Sequence, residues 1–270
     1  MSQAERPPHA VLLRAPDKFS APAVAAALAR RAKAPALDFM VAARRNWGVV
    51  AEALPAVDAE KMAAELTAEG LDSVAVPQSL LETPEEPALL GKAELTGDGF
   101  DVVSGPAHLA PERLNWTRLA VIAAAALATS ERKTVTEGAD LGAKAVRLGL
   151  TLATGIPLPM GGGEKKRVIE SHDRLLLVDL LFVEPARVLR VEAARFDYAL
   201  LGDKMLHGAE VNFSLLLAEL SARAPRALRG RGTRALLARR PSSEYLYESI
   251  ADLRREERWL LTLAALGAAR

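Results

Sequence analysis

The side chains that most often carry catalysis or bind metal ions are few and scattered in this chain. It has no cysteine and four histidines, which are His9, His108, His172 and His207. No two histidines have the HxH or HExxH spacing that brings two imidazoles to one metal ion. The lack of cysteine excludes disulfides, thiolate zinc sites, iron–sulfur clusters and cysteine nucleophiles. The sequence therefore predicts no metal site and no cofactor.

The segment 161–167, GGGEKKR, has some features of a phosphate-binding loop. A P-loop requires GxxxxGK[ST] between a strand and a helix, so that backbone amides converge on the phosphate. Here Arg167 follows the two lysines, no Ser or Thr is present to bind magnesium, and the flanking sequence is strand-like. We interpret the segment as a basic hairpin tip. The chain also has no GxSxG, SxxK or GxGxxG motif.

Two acid-containing segments could contribute to catalysis. Residues 171–173, Ser-His-Asp, have the residue types of a hydrolytic triad, but adjacent side chains point apart, which predicts a polar turn. Asp179 interrupts the apolar run LLLVDLLFV. A buried acid requires a partner, so we expect Asp179 either to face solvent or to pair with an arginine such as Arg190 or Arg195. A catalytic role for Asp179 is the alternative.

The segment 222–241, ARAPRALRGRGTRALLARRP, is the strongest local anomaly, with seven arginines and no acid in a chain of net charge +1. The arginines are Arg223, Arg226, Arg229, Arg231, Arg234, Arg239 and Arg240. Arginine makes bidentate bonds to phosphate and carboxylate, so RNA, DNA, an anionic lipid headgroup or an acidic partner could bind here. The candidate anion-binding residues are Arg226, Arg229, Arg231 and Arg234.

An intramolecular role for this segment is the alternative. The arginines form no single stripe at helical spacing, Gly230 and Gly232 interrupt the helix, and no aromatic residue interleaves the segment to stack on bases. On this interpretation the arginines pair with acids elsewhere in the chain, such as Glu244, Glu248, Asp252, Glu256 and Glu257.

The bulk composition is that of a folded globular protein. Half of the 270 residues are apolar, and 35 basic residues nearly balance 34 acidic ones. Bulk charge therefore predicts neither a nucleic-acid nor a membrane partner. The N-terminus has no apolar signal-peptide core. The apolar run 119–128 is too short for a membrane span, which needs about 20 residues, and we predict a buried helix there. We expect a cytoplasmic protein.

The elements that must position these residues fall into three predicted modules. Residues 9–81 form a small α/β module, a ferredoxin-like half, in which 47–77 is a strand–helix–strand unit with parallel strands. The acidic, proline-rich segment 82–87 is a linker. Residues 88–198 form a β-rich module with one helix, at 115–128. Residues 199–270 are C-terminal helices packed on the β-rich module.

Within the second module, a Gly97-Asp98-Gly99 turn predicts a hairpin. Further strands are predicted at 145–152, 167–170, 175–183 and 187–191. In the third module, Asn212 and either Ser242 or Ser243 are predicted to cap helices, and 226–240 is partly helical.

The stretch Gly97-Asp98-Gly99-Phe100, followed by Leu114-Asn115-Trp116-Thr117-Arg118 and an apolar segment, resembles bacterial PH-like domains. In those domains a hairpin precedes a polar–Trp–basic step. The likeness covers about 35 residues. The whole pattern resembles bacterial proteins that pair a small α/β module with such a β-rich module. The resemblance implies a binding or scaffold role with no chemistry of its own.

The sequence thus predicts an α+β fold and a non-catalytic regulatory or adaptor protein of the bacterial cytoplasm, whose partner is another protein. Two alternatives remain open. The first is an anion or nucleic-acid binder that uses the segment 223–240. The second is an enzyme whose site is assembled across the fold.

Overall fold

A computed structural model describes residues 7–104, 112–136 and 166–267. The chain divides into two compact units, Met1–Leu127 with Leu175–Arg270, and Ala128–Arg174. The described part mixes helices with three sheets, which confirms the α+β class. The predicted module boundaries stay predictions.

The helices are α1 (Ala21–Ala32), α2 (Ala36–Asn46), α3 (Ala56–Ala68), α4 (Ala209–Arg223), α5 (Arg231–Leu237) and α6 (Ile250–Leu266). Short 3-10 turns lie at Pro16–Lys18, Gln78–Leu80, Trp116–Arg118, Tyr198–Lys204 and Ser242–Glu244. The strands are β1 (His9–Leu13), β2 (Val49–Leu54), β3 (Ser73–Pro77), β4 (Ala88–Leu89), β5 (Lys92–Leu95), β6 (Gly99–Ser104), β7 (Glu112–Asn115), β8 (Leu119–Thr136), β9 (Lys166–Val183), β10 (Ala186–Glu192), β11 (Leu228–Arg229) and β12 (Leu246–Tyr247).

The N-terminal sheet has the order β2-β1-β3, and both outer strands are antiparallel to β1. The predicted strand–helix–strand unit is therefore present as β2, α3 and β3. Its two strands run parallel, as expected, but β1 lies between them. The helices α1 and α2 begin beside Pro22 and Pro35, because proline suits the first turn of a helix and lacks only an N–H that would be unbonded there.

The central sheet has the order β11-β8-β9-β10-β4, and β12 also pairs with β8. The predicted helix at 115–128 is wrong, because its apolar run 119–128 belongs to strand β8. Alternate side chains of this strand enter two different cores: Ala123 and Ala125 enter one, and Ile122 and Ala124 enter the other. A strand buried on both faces has a continuous apolar run instead of an alternating one, so periodicity cannot distinguish it from a buried helix.

The two cores share this sheet. The first core joins it to the N-terminal sheet, its helices and α6. The second core joins it to α4 and to the antiparallel meander β5-β6-β7, whose first turn is the predicted hairpin turn. The strands predicted at 167–170, 175–183 and 187–191 lie in β9 and β10.

Three local predictions are corrected. The 171–173 segment is part of strand β9 and not a polar turn. Helix α4 begins at Ala209, and the side chain of Asn212, inside that helix, instead bonds both Leu206 N (2.8 Å) and Leu206 O (2.7 Å). Ser242 and Ser243, the predicted caps of the last helix, belong to a 3-10 turn. Helix α6 is capped instead by Ser249, whose Oγ accepts from the amide of Asp252 at 3.3 Å. The predicted strand 145–152 and residues 161–165 lie outside the described residues.

Helix α6 contacts the N-terminal sheet through Trp259. Its indole Nε1 donates to Leu13 O at 2.8 Å, and its ring lies against the backbone of Gly48. A Cβ at Gly48 would lie 1.8 Å from the Trp259 ring. Only glycine fits there, so this position fixes how closely α6 and the strand β2 approach each other.

We predict that Gly48→Ala lowers the free energy of unfolding by about 3 kcal/mol, because the new methyl group must displace a buried ring. Gly97→Ala is the matched control, since its Cβ would meet no atom within 4 Å. Urea denaturation measures both variants. Equal stability of Gly48→Ala and the parent would contradict the described contact.

Candidate functional site

Three of the four predicted anion-binding arginines are held by backbone carbonyls. Arg229 Nη2 donates to Ser221 O at 3.3 Å, Arg231 Nη2 to Leu246 O at 2.9 Å, and Arg234 Nη2 to Pro16 O at 3.0 Å. Arg226 is exposed and lies apart from these contacts. A carbonyl is neutral, so these bonds position the guanidinium groups without cancelling their charge.

The acids named as alternative partners, Glu244, Glu248, Asp252, Glu256 and Glu257, make no salt bridge to these arginines among the described residues. Of the seven arginines, only Arg223 makes a salt bridge to a described acid, Glu219, at 3.7 Å. Two of the acids proposed as partners are already paired within α6: Asp252 with Arg255 at 2.8 Å, and Glu257 with Arg254 at 3.1 Å.

The glycines of this segment allow it to lie against strand β8. Gly230 N donates to Ile122 O at 2.9 Å, and a Cβ at Gly232 would lie 1.9 Å from Ala124 O. Thr233 Oγ1 donates to Ile122 O at 2.7 Å and accepts from Ala124 N at 2.8 Å. The glycines therefore serve a close backbone approach, which includes the first turn of α5.

This arrangement forms a cavity of about 340 Å³, which we call the arginine–tryptophan cleft. Three arginines (Arg231, Arg234, Arg240), three aromatic residues (Phe19, Trp47, Trp259), three acids (Asp17, Glu244, Glu256) and Pro16, Ala235 and Ala238 line it. All of these residues belong to the larger compact unit. Sequence reasoning placed Arg231 and Arg234 among the candidates, and it named Arg240 in the same segment and Glu244 and Glu256 as possible acid partners. It did not connect Asp17, Phe19, Trp47 or Trp259 with the segment.

Aromatic side chains do accompany the arginines, but they come from distant parts of the chain. The Arg231 guanidinium carbon lies 5.0 Å from the centroid of the Trp47 ring and 4.7 Å from that of Tyr247. These are cation–π distances. The Phe19 ring lies 5.5 Å from the Trp47 ring and 5.7 Å from the Trp259 ring. No local signal in 222–241 reveals this pairing, because it depends on how the N-terminal module packs.

Trp47 combines two unfavourable features. Its backbone has φ = 51°, in the left-handed region that aromatic residues rarely adopt, which costs about 1–3 kcal/mol. Its indole Nε1 is buried and has no hydrogen-bond partner among the described residues, and the same holds for Nε of Arg231. A buried donor without a partner costs about 1–3 kcal/mol. Strained residues and unmet donors of this kind occur at binding sites, where a ligand supplies the missing contact.

Glu256 lies at the buried side of the cleft. One oxygen accepts from the backbone N of Arg231 at 2.7 Å and the other from the Tyr247 hydroxyl at 2.5 Å. Burial raises the pKa of Glu256, although the Tyr247 hydrogen bond and the nearby arginines oppose the increase. The other two acids, Asp17 and Glu244, are exposed.

Asp179 forms a buried ion pair. Arg190 donates to it through Nε at 2.8 Å and Nη2 at 2.5 Å, which confirms the expected pairing with an arginine. Glu257 of α6 lies beside Asp179. Burial raises the pKa of Glu257 well above its usual range, and the neighbouring Asp179 carboxylate adds to the increase. Both carboxyl groups are fully buried, so this pair offers no surface at which a substrate could react.

The histidines do not assemble into a site within the described ranges. His9 lies in β1, where Nδ1 bonds Pro7 O at 3.0 Å; His172 lies in β9; and His207 is in an exposed loop. His108 lies outside the described residues. No group of three acids or histidines in this part of the chain is placed to hold a metal ion. The described helices include none with the length and apolar character to cross a membrane.

Comparison with known proteins adds no relative. No protein-family model, no curated protein and no solved structure matches the chain.

We predict that Glu257→Gln reduces the loss of stability at high pH. Because the folded state raises the pKa of Glu257, its contribution to stability is complete below the unfolded pKa, about 4.3, and is lost as pH rises through the folded pKa. Glutamine resembles the protonated acid and does not ionise. The variant should therefore gain stability relative to the parent between about pH 5 and about pH 8.

Urea denaturation at both pH values measures this difference, and the exposed Glu60→Gln is the control. Glu256, whose pKa is also raised, is present in parent and variant alike, so its contribution cancels. A constant difference between parent and Glu257→Gln across this range would contradict the prediction.

Proposed function

We propose that the protein is a non-catalytic binding protein that takes up an anionic group in the arginine–tryptophan cleft. One observation carries the proposal. Three arginines line a single cavity, and two of the residues that line it have buried N–H donors without a partner among the described residues. The donors are Nε1 of Trp47 and Nε of Arg231. A ligand that brings acceptor oxygens would satisfy both donors.

The polarity of the cleft supports an anion over a cation. Both oxygens of Glu256, the buried acid, already accept hydrogen bonds from the protein. Arg231 and Arg234 are bonded to the neutral carbonyls of Leu246 and Pro16 and keep their charge. Asp17 and Glu244 are exposed to water, which screens them.

The proposed fold agrees with a binding role. We propose that β1–β3 with their helices form a ferredoxin-like half, which the order β2-β1-β3 supports. We propose that the antiparallel meander β5–β7 and the neighbouring strands β8–β10, with α4 in their common core, form a PH-like module. Neither fold by itself determines function.

The adaptor hypothesis stays a prediction, as does a cytoplasmic location in a bacterium. The adaptor hypothesis is supported by two apolar residues one turn apart on α2, Leu37 and Val41, which are 79% and 58% exposed. An adaptor with a small-ligand site could combine both roles. An enzyme with a spatially assembled site also stays a proposal, although we assign no reacting groups to the cleft.

We predict that phenyl phosphate binds the protein at one site and that Arg240→Gln weakens this binding about tenfold. A charge-assisted hydrogen bond to phosphate is worth about 1.5–3 kcal/mol, and about 1.4 kcal/mol corresponds to tenfold. Arg240 is exposed, and no described residue bonds its side chain, so the substitution should leave the fold intact. Isothermal titration calorimetry measures the affinity.

Arg226→Gln is the matched control, because it removes the same charge from the same segment outside the cleft. Equal weakening by both substitutions would indicate nonspecific attraction and contradict the cleft as the site. Failure of phenyl phosphate, benzoate and inorganic phosphate alike to saturate the protein would overturn the proposed function.

A further inference from the structure

We infer that the ligand of the arginine–tryptophan cleft is a small organic anion, in which a carboxylate or phosphate group is joined to an apolar body. This inference rests on the proposed function and narrows it to a class of ligand. It also excludes two alternatives, an inorganic oxyanion and a nucleic-acid strand.

The size of the cleft argues against an inorganic oxyanion. The cavity measures about 340 Å³, within the lower part of the range of about 300–1,000 Å³ that is typical of small-molecule sites. A water molecule occupies about 30 Å³ in the liquid. An inorganic phosphate would therefore leave most of this volume to water, whereas a ligand with an apolar body of several carbon atoms would fill it.

The lining of the cleft combines two kinds of chemistry. The C-terminal segment contributes the guanidinium groups of Arg231, Arg234 and Arg240. Pro16 and Phe19, with the methyl groups of Ala235 and Ala238, contribute apolar surface. A ligand with a charged group and an apolar body matches both kinds of lining.

The shape of the charged surface argues against a nucleic-acid strand. Strand binding uses a groove that follows successive phosphates, with exposed aromatic faces on which bases stack. Here the faces of Trp47 and Trp259 are covered, since these residues are only 5% and 1% exposed. The arginines surround a single cavity, which suits a single anionic group.

Arg231 must move for the ligand to reach the buried donors. Its guanidinium lies against the Trp47 and Tyr247 rings, and the described residues hold it through one hydrogen bond, to Leu246 O. Neither Trp47 Nε1 nor Arg231 Nε is open to water in this arrangement. We expect the anionic oxygens to draw the guanidinium away from the ring and to accept from both groups. The indole N–H of Trp47 should then report binding directly.

The first experiment compares phenyl phosphate, benzoate, inorganic phosphate and phenol by calorimetry on the full chain. We expect phenyl phosphate or benzoate to bind at least about tenfold more tightly than inorganic phosphate, and phenol not to bind. The tighter of the two organic anions distinguishes a phosphate from a carboxylate ligand. Equal affinity for phenyl phosphate and inorganic phosphate would overturn the inference and leave the proposed function standing.

The second experiment tests the donor. Trp47→Phe keeps an aromatic ring and removes the N–H, and we expect it to weaken binding of the preferred organic anion about tenfold. Trp116→Phe is the control, because the Trp116 indole already donates to Thr96 O at 3.1 Å in the other core. Equal affinity of Trp47→Phe and the parent for that anion would overturn the assignment of the donor.

An NMR titration of the parent protein gives a second measurement that does not depend on how well the variant folds. The expected result is a downfield shift of the Trp47 indole proton, with the resonances of Trp116 and Trp259 unchanged. An unshifted Trp47 resonance at saturation would show that the anion binds elsewhere. Saturation by a polyanion such as heparin at lower concentration than by any small anion would favour the nucleic-acid alternative instead.

Discussion

The contact between the Trp259 ring and the backbone of Gly48 is the constraint on which the arrangement of the cleft depends. It brings the last helix, α6, against the N-terminal sheet, and the hydrogen bond from its indole to Leu13 O fixes the ring. Trp47 immediately precedes Gly48 and has its backbone in the left-handed region. Its ring therefore turns toward Arg231 and Tyr247. One glycine and one tryptophan thus bring residues from both ends of the chain to a single cavity.

A second constraint lies under α6, where two arginines and two acids are enclosed between the helix and the central sheet. Arg190 and Asp179 project from the sheet, and Arg254 and Glu257 project from α6. Removing one partner of the buried Arg190–Asp179 pair is more costly than the pair is worth, because the other charge is left without compensation. Apolar packing alone would permit α6 to slide along the sheet. We infer that these charges, with the bonds from Arg254 to the carbonyls of Pro84 and Glu85, select one position for the helix.

The sequence predicts the elements whose signals are local. The prolines at the start of α1 and α2 and the turn at Gly97-Asp98-Gly99 indicate their elements correctly, because each signal acts within a few residues. Strand β8 is mistaken for a helix, since an alanine-rich run buried on both faces has no period to detect. The cleft is harder to predict from the sequence than strand β8. Trp47 and Arg231 are far apart in the chain. Their contact depends on the packing of α6, which no sequence motif predicts.

The role of the arginine segment depends on residues that lie far from it in the chain. Considered alone, its lack of aromatic residues argues against a ligand, and its glycines argue against order. In the fold, Gly230 and Gly232 are what permit the segment to lie on β8, and the aromatic partner comes from the N-terminal module. Backbone carbonyls, instead of acids, hold Arg231 and Arg234 in place. An arginine that is positioned by a neutral group keeps its full attraction for an anion, whereas one that is paired with a carboxylate does not. For this reason the internal role of these arginines and their proposed role in binding are compatible.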